Sequence, residues 1–259
     1  MDTFDVAIVA TLRPELLKRT LTSFIDNLWG KAYWTTIAKF YVNVDLAGAP
    51  NEREVEPLRM KVQEILFRIL GKENVVINYK QPHFPTAWLW GIQNTTSNLV
   101  FHLEEDWVMD YKIDFEKMYG MFVKYKRLKH LRLSFFKSTE EYVRLWGKYN
   151  ANWNGDFFNI EDSDIIPVGW CGHPSLNDGK WLRKVAEKID PGMNPEKQFH
   201  RNQTIVDEFI KGNQFGVFQP QNTDRTLTDI GREWMKANGF VKSGGINPEW
   251  FTHWVRKEG

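Results

Sequence analysis

Residues 101–110, FHLEEDWVMD, decide how the chain is interpreted. Here an apolar run leads directly into three consecutive carboxylates, Glu104, Glu105 and Asp106, which Trp107 follows. An apolar run of this kind predicts a buried strand. Adjacent carboxylates repel one another unless positive charge compensates them. The triplet therefore indicates either a functional site or an acidic surface at the end of a buried strand.

The chain up to this segment alternates between strand and helix patterns. Short apolar runs predict strands at residues 5–10, 39–45, 74–79 and 98–103. Helical periodicity predicts helices between them, at residues 11–28, in the stretch before Gly71 and at residues 87–96. Such alternation favours a Rossmann-type α/β fold, with a mostly parallel sheet and helices on both faces. Parallel sheets bind ligands at the carboxyl ends of their strands, and the triplet follows the fourth strand.

The second half of the chain is less regular. Strands are predicted at residues 129–136 and 215–220, and helices at residues 179–189 and after 194–196, whereas residues 150–164 resemble a polar, aromatic-rich loop. No repeat or linker interrupts the pattern. We therefore expect a single domain.

Composition excludes several classes of protein. The 259 residues contain 42% hydrophobic and 26% charged side chains, and no apolar run approaches the roughly 18 residues of a membrane span. The N-terminus lacks the pattern of a signal peptide, so a cytoplasmic protein is expected, in the host cytoplasm if the protein is viral. One cysteine, Cys171, excludes an internal disulfide and any multi-cysteine metal site.

Charge is distributed unevenly although the net charge is only +1. Residues 111–150 hold 10 basic and 4 acidic side chains. This basic stretch, with Trp146 and Trp153 close by, suits either a solvated helix face or an anionic partner such as DNA.

The triplet permits two interpretations. Carboxylates after a strand can cap the next element or lie in solvent. Alternatively they bind Mg²⁺ or Mn²⁺, which prefer oxygen ligands and commonly take one or two carboxylates plus substrate phosphates. In an extended backbone, Glu104 and Asp106 would point to one side and Glu105 to the other.

The order of these segments resembles the nucleotide-sugar glycosyltransferases of the GT-A fold, in particular their large inverting family with bacterial and viral members. The similarity rests on ATLRPELLKRTLTS at residues 10–23, on the strand that ends at Asp45, and on AWLWGIQNTTSNLVFHLEEDW at residues 87–107. EED stands where the family has its D-x-D motif. The resemblance implies a nucleotide-sugar-binding half at residues 1–110 and an acceptor-binding half at residues 111–259 of the same domain.

The resemblance also implies roles for individual donor-site residues. Thr11 and Arg13 would border the nucleotide, for which UDP is expected, and Asp45 would face the base or the ribose. Asp106 would bind the metal. Glu104 would lie near the ribose or bind the metal as well.

Further roles follow from the same family pattern. Glu105 would touch the sugar or orient its neighbours. In the late segment LTDIGREWMKANG, Asp229 would be a further metal ligand, and Arg232 or Lys242 would neutralise phosphate. An amphipathic terminal helix is the simpler interpretation of that segment.

The catalytic base would take a proton from the acceptor hydroxyl. Glu196, in NPEKQFHRN, fits the position that such enzymes use, although a first-turn glutamate is also favoured by the helix dipole alone. Asp162 and Asp164 are rival bases. The acceptor cleft would be lined by aromatic and imidazole side chains, namely Trp153, Trp170 and His173.

The acceptor is either a hydroxymethylated pyrimidine in viral DNA or a hydroxyl group of a polysaccharide or protein, and the sequence leaves both open.

Two other functions are considered. A sugar-phosphate nucleotidyltransferase would need a glycine-rich loop after the first strand, where this chain has TLRPEL. A non-catalytic carbohydrate- or nucleic-acid-binding module would use the 12 tryptophans but leaves the acidic triplet unexplained.

Overall fold

The computed structural model describes residues 3–30, 34–134, 151–160, 170–218, 226–243 and 253–256. The strands in these ranges are β1 Phe4–Thr11, β2 Ile37–Asp45, β3 Val75–Lys80, β4 Leu99–Glu104, β5 Trp107–Met109, β6 Leu128–Leu133, β7 Ala151–Trp153, β8 Phe158–Ile160, β9 Ser175–Asp178, β10 Gln214–Phe218, β11 Leu227–Asp229, β12 Phe240–Ser243 and β13 His253–Arg256.

The helices connect these strands in the expected order. The α-helices are α1 Pro14–Phe24, α2 Glu52–Leu70, α3 Phe84–Asn94, α4 Phe115–Lys124, α5 Gly179–Ala186, α6 Pro195–Arg201, α7 Gln203–Ile205 and α8 Gly231–Ala237. Two π-helical turns extend α1 and α7, at Ile25–Trp29 and Val206–Ile210. Short 3₁₀ turns precede β2 and β3, at Trp34–Thr36 and Lys72–Asn74.

Nine strands form one sheet, in the order β3-β2-β1-β4-β9-β6-β10-β8-β7. β9 and β8 run antiparallel to their neighbours, and the other seven strands share one direction. Two small antiparallel pairs, β5 with β11 and β12 with β13, lie outside this sheet. The expected mostly parallel α/β sheet of a single domain is therefore confirmed.

Both faces of the sheet are covered because its strands alternate between two apolar cores. Val6, Ile8 and Ala10 of β1 belong to the core that also contains buried residues of α1, α2 and α4. Ala7 and Val9 belong to the opposite core, with buried residues of α3, α5 and α6. A strand covered on both faces is continuously apolar, which is why residues 5–10 could be recognised from the sequence.

Two elements differ from the expectation. The segment at 150–164 was expected to be a loop, but β7 and β8 form a hairpin in its described part. Its turn is stabilised by the Asn154 side chain, which accepts hydrogen bonds from the backbone N–H groups of Asp156 and Phe157, and Gly155 adopts φ 97°. The Asn-Gly pair is a hairpin signal that predicts such a turn. β9, inserted antiparallel between β4 and β6, was also not anticipated.

Candidate active site

A cavity of about 860 Å³ lies at the carboxyl ends of β1, β2 and β4. β1, β2 and β4 are parallel neighbours, so their last residues meet at one edge of the sheet. The cavity brings together seven residues that the sequence singled out, namely Thr11, Arg13, Asp45, Glu104, Glu105, Asp106 and Glu196.

Arg13 joins the start of α1 to the acidic triplet. Its Nε and Nη2 donate hydrogen bonds to Glu105 Oε1 over 2.8 and 2.5 Å, and Nη2 lies 3.1 Å from Asp106 Oδ2. Thr11 also donates to Glu105 Oε1, over 2.8 Å. The neighbouring side chains of Glu105 and Asp106 thus contact the same guanidinium, whereas an extended backbone would point them to opposite sides. The reason is that β4 ends at Glu104 and the next two residues form a turn.

Negative charge is concentrated around Asp106. Burial is the main cause that raises the pKa of Asp106 to about 7, and the carboxylates of Glu105, Glu104 and Asp229 raise it further while Arg13 opposes them. Asp229 is held close by pairing of β11 with β5, where it lies opposite Trp107. Arg13, which pairs with Glu105 and Asp106, therefore compensates this negative charge only in part.

These residues suit a divalent cation. The donors are all carboxylate oxygens, which Mg²⁺ and Mn²⁺ prefer, and their mutual repulsion is what a cation would relieve. Among the described residues, no group of three or more His, Cys, Asp or Glu side chains is arranged so that it could hold a metal ion by itself. A cation here would thus need further oxygen ligands, such as those of a bound phosphate.

Asp45 lines the cavity at the end of β2, where it pairs in register with Thr11 at the end of β1. It accepts hydrogen bonds from Asn43 Nδ2 over 2.9 Å and from the backbone N–H of His83 over 3.2 Å. Burial raises the pKa of Asp45 to about 6 despite these two donors. A carboxylate held with a raised pKa in a cleft is typical of a binding or catalytic site.

Glu196 reaches the cavity from the first turn of α6, whose N-cap is Asn194. His173, which the sequence assigned to an acceptor cleft, lies next to this acidic region. Its ring packs edge-on against Trp107, with centroids 5.1 Å apart. Burial lowers the pKa of His173 to about 4, so the imidazole is neutral at physiological pH.

Other predicted site residues lie elsewhere. Trp170 is 2% exposed and stacks on Phe199, with ring centroids 4.1 Å apart, so its indole contributes to a core and has little surface for an acceptor. Arg232 is exposed and pairs with Asp229 over 3.0 Å. Asp162, Asp164 and residues 135–150 fall outside the described ranges, as do the side chains of Trp153 and Lys242.

Sequence reasoning missed several cavity residues, including Gln81, His83, Asn194 and Phe240. His83 precedes the Phe84-Pro85 start of α3 and caps it, its Nδ1 accepting a hydrogen bond from Thr86 N. A proline near a helix start was the available signal for that boundary. Phe240 was beyond prediction, because it reaches the cavity from a strand outside the main sheet.

Comparison with known proteins supports the fold. No family model matches the sequence, and no curated protein matches it significantly. Among solved structures, residues 1–349 of TarS from S. aureus, a glycosyltransferase, superpose with a TM-score of 0.51 at 12% identity. The match covers 86% of this chain but 59% of that one, so this chain spans little more than half of the TarS structure. The chain therefore has a Rossmann-like α/β fold of the kind found in glycosyltransferases.

Proposed function

We propose that the protein is a metal-dependent glycosyltransferase, which moves a sugar from a nucleoside diphosphate sugar to an acceptor hydroxyl. The observation that carries this proposal is the cavity at the carboxyl ends of β1, β2 and β4, where Asp45, Asp106 and Glu196 meet. Its volume of about 860 Å³ lies within the usual range for small-molecule sites. The fold shared with TarS agrees with this function.

The donor nucleotide would lie between β1 and β2. Apolar side chains there, including Leu46, Val55 and Phe84, suit a flat base, and Asp45 suits a ribose hydroxyl or a base N–H. UDP is the nucleotide expected from the resemblance. The same resemblance assigns residues 1–110 to donor binding and residues 111–259 to the acceptor.

The diphosphate would lie beside the acidic triplet. Six carboxylates line the cavity, those of Asp45, Glu52, Glu104, Glu105, Asp106 and Glu196. Such a wall repels a diphosphate, so Mn²⁺ or Mg²⁺ held by Asp106, with Glu104 or Asp229 as a further ligand, would neutralise the leaving group. Glu105 has a different role, since its carboxylate is engaged by Arg13 and Thr11.

Glu196 would act as the catalytic base on the acceptor hydroxyl, with Asp164 as the rival. An inverting transfer needs one such base and no covalent intermediate. Glu196 already lies on the cavity wall. An acceptor hydroxyl that enters this cavity would therefore come close to Glu196.

DNA bearing hydroxymethylated pyrimidines is one candidate acceptor, and polysaccharide or protein hydroxyls are the other. The structure places much of the described basic stretch away from the cavity. β6 begins at Leu128 and runs parallel to β4, so Lys124, Lys126 and Arg127 lie at the amino edge of the sheet. A DNA acceptor would therefore be held mainly by other parts of the chain.

The alternatives differ in what they bind. A non-catalytic sugar- or nucleic-acid-binding module needs neither metal nor nucleotide. A nucleotidyltransferase would bind a nucleoside triphosphate through backbone N–H groups after β1, where Thr11, Leu12 and Arg13 leave no glycine for close approach.

Calorimetric titration tests the proposal. UDP and GDP, each with and without Mn²⁺, are titrated into the wild-type protein, Asp106→Asn and Asp110→Asn. Asp110 is exposed and follows β5, so its variant changes charge to the same extent outside the cavity. We expect metal-dependent UDP binding that Asp106→Asn weakens at least ~10-fold and Asp110→Asn leaves unchanged. Failure of the wild-type protein to bind either nucleotide would overturn the proposal.

A further inference from the structure

The guanidinium of Arg13 is held in contact with Asp106, the carboxylate that is proposed to bind the metal. The residue is 3% exposed, and its guanidinium contacts Glu105 and Asp106. The guanidinium also lies over the Trp234 ring, with its carbon 5.4 Å from the ring centroid. The positive charge is therefore held at the cavity and cannot move into solvent without breaking all of these contacts.

A cation bound by Asp106 would share that carboxylate with the guanidinium. An arginine guanidinium stays protonated at every physiological pH, so Arg13 carries its full positive charge beside Glu105 and Asp106. Two positive charges on one carboxylate repel each other strongly in a partly buried site. The metal-free protein thus already contains a competitor for its own cation.

We propose that Arg13 is an internal counter-ion, which weakens cation binding until the diphosphate of the donor arrives. This inference rests on the proposed function. A diphosphate adds negative charge that both the guanidinium and the cation can share, since arginine pairs well with phosphate oxygens. Metal and donor would consequently bind interdependently, and the empty site would hold its cation only loosely.

The surrounding contacts favour this role over a purely structural one. Glu105 alone accepts hydrogen bonds from Nε and Nη2 of Arg13, over 2.8 and 2.5 Å, and these form a buried ion pair. The additional contact to Asp106, at 3.1 Å, reaches a side chain that is 20% exposed and lines the cavity. Through this contact, the buried ion pair of Arg13 and Glu105 is linked to Asp106, the carboxylate that lines the cavity.

The test measures Mn²⁺ affinity by calorimetry in the absence of nucleotide. The variants are Arg13→Met, which removes the charge, Arg13→Lys, which keeps it, and Arg19→Met, which removes the same charge from an exposed position on α1. We expect Arg13→Met to bind Mn²⁺ ~10-fold more tightly than the wild-type protein, with the other two within ~3-fold of it. Circular dichroism checks that each variant is folded.

A second titration adds saturating UDP. The ratio of the Mn²⁺ affinities with and without UDP should be large in the wild-type protein and ~10-fold smaller in Arg13→Met. By the same linkage, Mn²⁺ should increase UDP affinity less in Arg13→Met than in the wild-type protein. Unchanged or weaker Mn²⁺ binding by a folded Arg13→Met overturns the inference. So does a wild-type protein that binds Mn²⁺ equally well with and without UDP, a measurement that needs no variant.

These outcomes separate the two proposals. If the wild-type protein binds neither UDP nor Mn²⁺ in each other's presence, the proposed function fails and this inference fails with it. If both bind but the charge at Arg13 has no effect on Mn²⁺ affinity, only the counter-ion role is lost.

Discussion

At the scale of one residue, the buried carboxylate of Asp45 lowers the free energy of unfolding at neutral pH. It is 6% exposed, and burial raises its pKa from 3.8 to about 6. Between these values the folded protein holds a proton that the unfolded chain has released. Stability therefore falls as the pH rises through this window, by about 3 kcal/mol in total.

Asp45→Asn should remove that pH dependence. We expect the stability of the variant relative to the wild-type protein to rise by about 2 kcal/mol between pH 4 and pH 7.5. The changed hydrogen bonds to Asn43 and His83 add an offset that is the same at both pH values. Urea denaturation at both pH values measures this gain. Asp110→Asn, which removes a carboxylate from an exposed position, is the control, and an equal pH-dependent gain in both variants would contradict the prediction.

Glu196 is the residue on which the proposed chemistry depends. Glu196→Gln keeps the size of the side chain and its place in the first turn of α6 but cannot accept a proton. We expect the rate of sugar transfer to fall about 10²–10⁴-fold while the affinity for UDP and Mn²⁺ stays unchanged. Steady-state kinetics with calorimetry measures both. If only Asp164→Asn has this effect, Asp164 is the base.

At the scale of a secondary-structure element, helix α8 fixes the position of Asp106, because the start of the helix packs directly on this residue. Ile230 N–H donates to the Asp106 backbone carbonyl over 2.9 Å. A Cβ on Gly231 would lie 2.2 Å from Asp106 Oδ2 and 2.9 Å from its Cβ. This glycine therefore permits the close approach between the late segment and the acidic triplet.

Gly231→Ala should displace Asp106 and weaken metal-dependent nucleotide binding. A misplacement of about 1 Å can reduce function by ~10²-fold, so we expect a loss of at least ~10-fold in UDP affinity with Mn²⁺. Gly120→Ala is the matched control, since Gly120 lies within α4 and a Cβ there meets nothing within 4 Å. The control should bind normally. Equal nucleotide affinities in the two variants would show that the contact at Gly231 is unimportant.

The whole sheet determines which charges are near the site. Lys126, exposed just before β6, is separated from the carboxyl edge by a six-residue strand, roughly 20 Å. Arg232, whose side chain is 88% exposed, lies instead beside Asp229 at the carboxyl edge. Interactions between exposed charges at the longer distance are largely screened at physiological salt.

If DNA is the acceptor, the rate of sugar transfer to it should therefore depend on the charge of Arg232 and not on that of Lys126. We expect Arg232→Glu to lower transfer to hydroxymethylated DNA several-fold at low salt, and Lys126→Glu to change it less than about twofold. Initial rates over a salt series measure both effects. A wild-type rate that does not depend on salt would exclude a DNA acceptor, and an equal loss in both variants would contradict the placement of the basic stretch.

No helix among the residues that the structure describes is long and apolar enough to cross a membrane.

Much of the fold could be predicted because periodicity is local. The doubly covered strands β1 and β4 are largely apolar, and the end of α2 at Gly71 follows from a glycine with φ 81°. The hairpin at Gly155 was missed although its Asn-Gly turn was visible. The position of β9 could not be found, since strand order depends on contacts between distant segments.

For the site, the strand pattern along the chain was enough to identify Asp45 and the triplet as residues at the carboxyl ends of parallel strands. The folded structure was needed to show that Arg13 contacts Glu105 and Asp106, 92 and 93 positions away, and that Trp170 is buried. The difference lies in the range of the forces involved. Local periodicity fixes where a strand ends, whereas side-chain charge pairing depends on which segments the folded sheet brings together.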